Sequence, residues 1–251
     1  AVFTNYVNNL GIDGDPVIAA RFDNILKYLS RPLDVDSAWA AKPGIQAEPY
    51  LGCRRTYQIL LTDGQASNYS EPSLISTTNF DSTSLTLPGP DHKHYDASSN
   101  ETRVYRDNET KTLSDWAFAL WAQDHQPSIG NDIKPSTTDG VPAIENIGGM
   151  DIPKYWNPKH NPARWQHVVT HIIGFGPDSY KWGDYDGSGK VISKQPFWSL
   201  ADDDTYGSGG DFAKLVNGTL KWPNVKTYPT DDYSWVPVDL WHAAITSRGR
   251  F

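Results

Sequence analysis

Asp63 is the side chain whose position most readily suggests chemistry. It follows a short apolar run at residues 57–61 and stands in a Thr-Asp-Gly triplet that ends the run abruptly. An apolar run closed by turn residues is typical of a buried strand in a parallel sheet, and ligands of open α/β folds bind just beyond the carboxyl ends of such strands. Asp63 is therefore placed either to bind a hard metal ion or to cap the segment that follows, and both interpretations stay open.

A second group of oxygen-bearing side chains lies in the segment Asp-Tyr-Asp-Gly-Ser-Gly-Lys-Val at 184–191. Asp184, Asp186 and Ser188 fall at the first, third and fifth positions of a calcium-binding loop. The twelfth position holds Gln195 in place of the bidentate glutamate. The spacing thus predicts either a weak calcium loop or a glycine-rich turn.

The histidines and the cysteine do not form a recognisable nucleophilic site. No Gly-x-Ser-x-Gly elbow accompanies His167 or His242, and both stand beside tryptophans in helix-like segments, so we interpret them as structural. The single cysteine, Cys53, excludes a disulfide within the chain. We expect its thiol to be buried beside the strand, since a free cysteine behaves as a small hydrophobe, and pairing outside this sequence stays open.

The composition excludes some classes of partner. A net charge of −8 over 251 residues argues against nucleic acid, because phosphate binding needs a basic face. No apolar stretch approaches the roughly 20 residues that cross a bilayer. The chain has 10 Trp, 13 Tyr and 8 Phe beside 20 Gly and 18 Pro, which predicts a compact core carrying long, aromatic-rich loops.

Hydrophobic periodicity predicts helices that alternate with strands. We predict helices at 14–30, 116–124 and 238–246, strands at 57–61 and 168–176, and polar surface excursions at about 65–111 and 177–235. Such alternation indicates a layered α/β domain with helices on both faces of the sheet.

The order of four segments resembles a von Willebrand factor A domain, and more narrowly the A domain of the PilY family, adhesin and assembly factors at the tips of bacterial type IV pili. The segments are Cys-Arg-Arg to Thr-Asp-Gly at 53–64, Thr-Leu-Ser-Asp-Trp-Ala at 112–117, Trp-Gln-His to Gly-Phe-Gly at 165–176, and Asp-Leu-Trp-His-Ala-Ala to Arg-Gly-Arg-Phe at 239–251. The Trp-Gln-His and Asp-Leu-Trp-His-Ala-Ala segments are the more specific. The resemblance implies an α/β, von Willebrand factor A-like (Rossmann-like), mostly parallel sheet flanked by helices with long loop insertions.

The resemblance also implies a metal site at the top of the sheet and a particular domain organisation. Such domains bind Mg²⁺ or Ca²⁺ through three loops, and Asp63 matches the third, while Asp15 stands where the second has threonine. No Asp-x-Ser-x-Ser segment of the first loop occurs in the sequence. Residues 1–251 are therefore expected to be one A-like domain whose first strand lies upstream or whose site is degenerate, with a β-propeller following.

The function implied by the resemblance is non-enzymatic adhesion and pilus assembly. The expected partners are minor pilins or other pilus components, a host or surface ligand, and the β-propeller of the same protein, after export through the periplasm to the cell surface. Two alternatives stay open. One is a carbohydrate-binding or hydrolytic domain that uses aromatic loops with Asp184 and Asp186. The other is a metal-chelatase-type A domain partnered with an ATPase.

Overall fold

Three of the four described helices lie where the sequence predicts them, whereas the helix at Asp211–Asn217 stands in the stretch 177–235 that was predicted as a surface excursion. A computed structural model describes residues 18–62, 78–136, 140–175, 206, 210–222 and 236–251, and the backbone of 181–185 and 191–196. Its helices are α1 Ile18–Leu29, α2 Leu113–Ala122, α3 Asp211–Asn217 and α4 Val236–Thr246, with a 3₁₀ turn at Arg103–Tyr105. No helix in these ranges is long and apolar enough to reach across a membrane.

The described strands are arranged in pairs. Strand β1, Thr56–Thr62, pairs in parallel with β6, Val168–Gly174. The antiparallel pairs are β2 Leu85–Thr86 with β3 His94–Tyr95, β4 Ile144–Ile147 with β5 Met150–Pro153, and β7 Lys181–Tyr185 with β8 Val191–Pro196. The fold is thus a mixed α/β arrangement with a small parallel sheet and helices, and the predicted α/β class is confirmed to that extent.

The two faces of the parallel pair are unequal. Val168 and Ile172 of β6 point inward and are almost completely buried in a core shared with α1, α2 and α4. On the opposite face, Tyr57, Ile59 and Leu61 are 51%, 62% and 65% exposed. The prediction of a buried strand at 57–61 is therefore correct only for the inner face, which the described helices cover.

Helix α2 is the centre of the molecule, and its start is fixed by a capping box. The Thr112 hydroxyl accepts a hydrogen bond from the Asp115 backbone N–H at 3.2 Å, and the Asp115 carboxylate accepts one from the Thr112 N–H at 3.1 Å. This cap explains why the helix begins three residues before the predicted Trp116. Every residue of α2 is buried, and its two polar side chains, Ser114 and Asp115, form hydrogen bonds.

The segment predicted as a surface excursion at 65–111 contributes to a core in its described part. Leu87, Tyr95 and Tyr105 are 1%, 0% and 0% exposed, and they pack in a cluster with Phe118 of α2. The surface interpretation was wrong for this part because its polar composition conceals a few large aromatic side chains. Aromatic residues bury so much area that a small number can anchor a long loop.

The chain from Ser247 onward lies against the free edge of β6. The Ser247 hydroxyl accepts a hydrogen bond from the Thr170 N–H at 3.1 Å, and the Ile172 N–H donates to the Arg250 carbonyl at 2.8 Å. Gly249 is required here, because a Cβ at this position would collide with the Thr170 carbonyl. The Arg-Gly-Arg-Phe segment is thus packed on the sheet.

Cys53 does not lie where the sequence predicts it. Its side chain is exposed, in the turn that precedes β1. The prediction of a buried thiol was wrong because the strand begins only at Thr56.

Candidate metal centre

The predicted ligand residues lie largely outside the described part of the chain. Asp15, Asp63, Asp186 and Ser188 are not described, and Asp184 stands in β7, where the backbone alone is described. The strand-end metal site and the calcium loop therefore stay predictions. The edge that precedes Asp63 is described, and there the Phe175 N–H donates to the Thr62 carbonyl at 2.9 Å, so β1 and β6 end together.

Three other side chains form a buried cluster of metal-binding groups. Asp81, Asp107 and His242 each place one ligand atom within 4.8 Å of the others. Their side chains are 0%, 4% and 2% exposed. Asp81 lies in a turn, Asp107 follows the 3₁₀ turn, and His242 is in the middle of α4. The cluster thus joins three segments that are far apart in sequence.

The ring of His242 is fixed in position and in hydrogen-bonding role. Its Nε2 atom lies 3.0 Å from the Tyr105 carbonyl, which can only accept, so Nε2 carries a proton and donates. Trp222 stacks on the ring at a centroid distance of 4.0 Å and an angle of 18°. The other ring nitrogen, Nδ1, faces a carboxylate oxygen of Asp107 at 3.4 Å.

Asp81 is held by polar contacts on both oxygens. One oxygen accepts a hydrogen bond from the Ser114 hydroxyl at 3.1 Å, and the other lies 3.4 Å from the Asp107 backbone N–H. Burial, and then the charges of Asp107 and Asp115, raise the pKa of Asp81 well above its ordinary value. Among the described residues, neither Asp81 nor Asp107 forms an ion pair with lysine or arginine.

Two further buried aspartates connect the cluster to the start of α2. The Asp115 carboxylate accepts hydrogen bonds from the backbone N–H groups of Phe80 and Asp81, at 2.5 and 3.2 Å. Burial is the largest cause that raises the pKa of Asp115 to about 6. Asp239 accepts from the Leu113 N–H at 2.9 Å. These two carboxylates are therefore used to hold the backbone.

No protein-family model matches the chain, and no solved structure matches it. The chain is 35% identical over 249 residues to the type IV pilus biogenesis factor PilY1 of Pseudomonas aeruginosa strain PAK, and 33% identical over 249 residues to PilY1 of strain PAO1. The chain is homologous to a segment of PilY1. The two alignments include 99% of this chain and 18% of each PilY1, so the chain spans less than a fifth of the length of these relatives.

The homology to PilY1 confirms the predicted relation to the PilY family, which four short segments suggested. The PilY1 of a third strain, UCBPP-PA14, is 30% identical over 251 residues. Because the similarity extends over the whole chain, it includes the long polar stretches between the four segments.

The donor set of the buried cluster could hold a metal ion. Two carboxylate oxygens and one imidazole nitrogen are ordinary ligands of divalent metals. Sequence reasoning missed Asp81 and Asp107, and it interpreted His242 as structural. No local spacing signals this site, since its members come from separate segments. His167, also interpreted as structural, accepts a hydrogen bond from the Asn161 amide at 2.7 Å and donates to the Trp165 carbonyl at 2.6 Å, but it directly precedes strand β6 and does not lie in the predicted helix-like segment.

Proposed function

We propose that the chain is a non-enzymatic adhesion and assembly module of a type IV pilus tip. The observation that carries the proposal is the homology to PilY1, whose name describes a pilus biogenesis factor, over 99% of this chain. In this role the module contacts minor pilins or a surface ligand at the cell surface, after export through the periplasm. Because the chain spans 18% of PilY1, the proposal concerns the part of that activity to which this segment contributes.

The proposed fold family is that of the von Willebrand factor A domain. The parallel pair β1–β6 and the helices packed on it support this assignment. Both strands end at the same edge, and Asp63 follows directly. We place the contact surface and a Mg²⁺ or Ca²⁺ site at this edge, with Asp63 and Asp15 as ligands, because carboxylate oxygens suit hard cations.

A weaker second cation site is proposed in the 184–191 segment. There Asp184, Asp186 and Ser188 would supply oxygens for Ca²⁺. Residues 186–190 connect the antiparallel strands β7 and β8, whose register is irregular between Asp184 and Tyr185.

The exposed face of the parallel pair supports a role in protein contacts. Ile59, Leu61, Ile173 and Phe175 are each more than half exposed, and the last two also lie near the strand ends. Contiguous apolar surface of this kind marks interaction sites in soluble proteins. We propose that this face is covered in the assembled pilus tip.

The proposal is tested in the bacterium that encodes the protein. We expect deletion of residues 1–251 to reduce surface pili and adhesion. Asp63→Ala is expected to reduce adhesion, whereas the exposed loop variant Asp91→Ala serves as the matched control. Normal piliation and adhesion in the deletion strain would contradict the proposal, and so would turnover of a glycan panel by the purified chain.

A further inference from the structure

We propose that Asp81, Asp107 and His242 bind one Zn²⁺ ion, which fastens two loop segments to α4. This site goes beyond the proposed function, because it lies inside the molecule and uses none of the strand-end residues. Its ligands are Nδ1 of the imidazole, an Asp107 oxygen 3.4 Å from Nδ1, and an Asp81 oxygen that lies 4.0 Å from Nε2 of the same ring. Four observations carry the proposal: the hydrogen-bonding roles of the imidazole, one interatomic distance, the charge balance and the contacts of the ligands.

The first observation is a conflict between two lone pairs. The Tyr105 carbonyl fixes the proton of His242 on Nε2, so in the neutral ring Nδ1 is an acceptor. Nδ1 lies 3.4 Å from an oxygen of Asp107, which is also an acceptor when the carboxylate is ionised. Two buried acceptors that face each other repel, and either a proton or a metal cation between them removes the repulsion.

The second observation is the distance between these two atoms, which favours the metal. A hydrogen bond between an imidazolium and a carboxylate has a length of about 2.7–2.9 Å. The observed separation of Nδ1 from the Asp107 oxygen is 3.4 Å. Ligands at about 2.1 Å in a tetrahedral zinc site are about 3.4 Å apart. The pair is therefore too far apart for a strong ionic hydrogen bond and at the spacing of two zinc ligands.

The third observation is the charge balance of the buried region. When both carboxylates are ionised, a dication beside a neutral imidazole compensates Asp81 and Asp107, whereas an imidazolium compensates one of them. The described residues provide no lysine or arginine partner for either carboxylate. Asp115 adds a further negative charge in contact with the Asp81 backbone. Because buried charges are costly unless they are paired, a dication fits this environment better than a single proton.

The fourth observation is a shell of contacts that orients each ligand. A metal-binding histidine typically donates its other N–H to a carbonyl or carboxylate, as His242 does to Tyr105. The Ser114 hydroxyl donates to Asp81, and the Glu109 N–H donates to Asp107 at 2.7 Å. Ca²⁺ and Mg²⁺ prefer all-oxygen sites, whereas imidazole nitrogen suits zinc, so the mixed set selects Zn²⁺ over the cations of the strand-end proposal.

Burial gives the proposed ion a structural role. All three ligands are nearly inaccessible, and Trp222 covers the imidazole face. The ion would join the turn at Asp81, the segment after the 3₁₀ turn and the middle of α4. Three protein ligands leave the fourth position of a tetrahedral zinc ion to a water molecule. Because the cluster is buried, a substrate cannot reach that position, so the ion would stabilise the fold.

The experiment uses the 251-residue chain, depleted of metal with a chelator and then titrated with Zn²⁺. We expect about one tightly bound Zn²⁺ per chain and a rise in the unfolding temperature with zinc concentration. The conservative variant Asp107→Asn keeps the side-chain volume and is expected to weaken zinc binding at least about a hundredfold. The histidine control is His171→Gln, a half-buried position on β6 outside the cluster, which is expected to leave binding unchanged.

The readouts distinguish the metal from a proton and from other zinc sites. X-ray absorption of the bound zinc is expected to show nitrogen and oxygen ligands without sulfur, and binding is expected to persist in Cys53→Ser and in Asp63→Ala. This spectrum is measured on the parent chain, so it identifies the ligand atoms of the zinc ion even if a variant fails to fold. Absence of zinc binding by the folded parent chain would overturn the proposal. Equal zinc affinity in folded Asp107→Asn would do the same.

Discussion

Arg248 occupies a backbone position that ordinarily takes glycine. It follows the end of α4 with φ = 65°, and the hydrogen bonds from the Arg248 N–H to Ile245 and from the Gly249 N–H to Ala244 form a Schellman motif. Its guanidinium lies over the rings of Tyr105 and Trp121, with Cζ 4.6 and 4.5 Å from the ring centroids. The side chain therefore offsets a backbone cost by stacking in the core.

Substitution of Arg248 separates these two contributions. Arg248→Ala loses the stacking and keeps the left-handed backbone cost, whereas Arg248→Gly loses the stacking and removes that cost. We expect Arg248→Gly to be more stable to urea than Arg248→Ala by about 1 kcal/mol, and both to be less stable than the parent. Equal stability of the two variants would show that the backbone conformation carries no cost at this position.

His167 gives the molecule a dependence on pH that can be assigned a sign. Burial, the largest cause, lowers the pKa of His167 from 6.5 to about 4, although the hydrogen bond to the Trp165 carbonyl acts in the opposite direction. The positive charges of Arg55 and Arg248 also disfavour its protonation. Between about pH 6.5 and pH 4, His167 is therefore protonated in the unfolded chain and neutral in the folded chain. The free energy of unfolding falls as the pH decreases through this range.

We expect the parent chain to lose about 2 kcal/mol of stability through His167 between pH 7.5 and pH 5. The measurement is the free energy of unfolding in urea at both pH values, for the parent and for His167→Gln. The difference between the two slopes isolates His167, since Asp115, whose raised pKa acts in the opposite sense, is present in both proteins. Parallel slopes would refute the assignment.

At the scale of elements, the parallel pair β1–β6 has one face committed to the core and one available for contact. Ile172 is 3% exposed on the inner face, whereas Ile59 is 62% exposed on the outer face. We expect Ile59→Lys to change the free energy of unfolding by less than about 0.5 kcal/mol and to reduce piliation or adhesion in the bacterium. Thermal unfolding and a count of surface pili check the two parts.

The matched variant on the inner face is Ile172→Lys. It buries an unpaired ammonium group in the core and is expected to prevent folding. Wild-type piliation and adhesion with Ile59→Lys, at a normal protein level, would rule out this face as a contact surface of the pilus tip.

At the scale of the whole molecule, the helices and the parallel strands are the parts that the sequence predicts well. The helices predicted at 14–30 and 238–246 correspond to α1 and α4, and the predicted strands at 57–61 and 168–176 correspond to β1 and β6. Their residues repeat at the spacing of a helix face or form an apolar run, so local pattern is sufficient. The described hairpins are short and have no comparable pattern.

The candidate metal centre could not be predicted, because nothing local connects its members. Asp81 and Asp107 stand in polar stretches that resemble solvated loops, and only tertiary packing brings them to His242. The sequence also cannot show that Tyr105 supplies both a buried ring and the carbonyl that sets the imidazole proton. A site whose ligands come from two loop segments and a helix can be recognised only in the folded structure.

The complete burial of α2 has a consequence for the order in which the molecule opens. Its amides are enclosed by α1, α4 and β6, and its first turn is bonded to Thr112 and Asp239. Local fraying cannot admit water to such a helix, so its backbone protons exchange with deuterium only when the whole fold opens. The exchange rate along α2 is therefore a direct gauge of global stability, against which every substitution above can be ranked without denaturant.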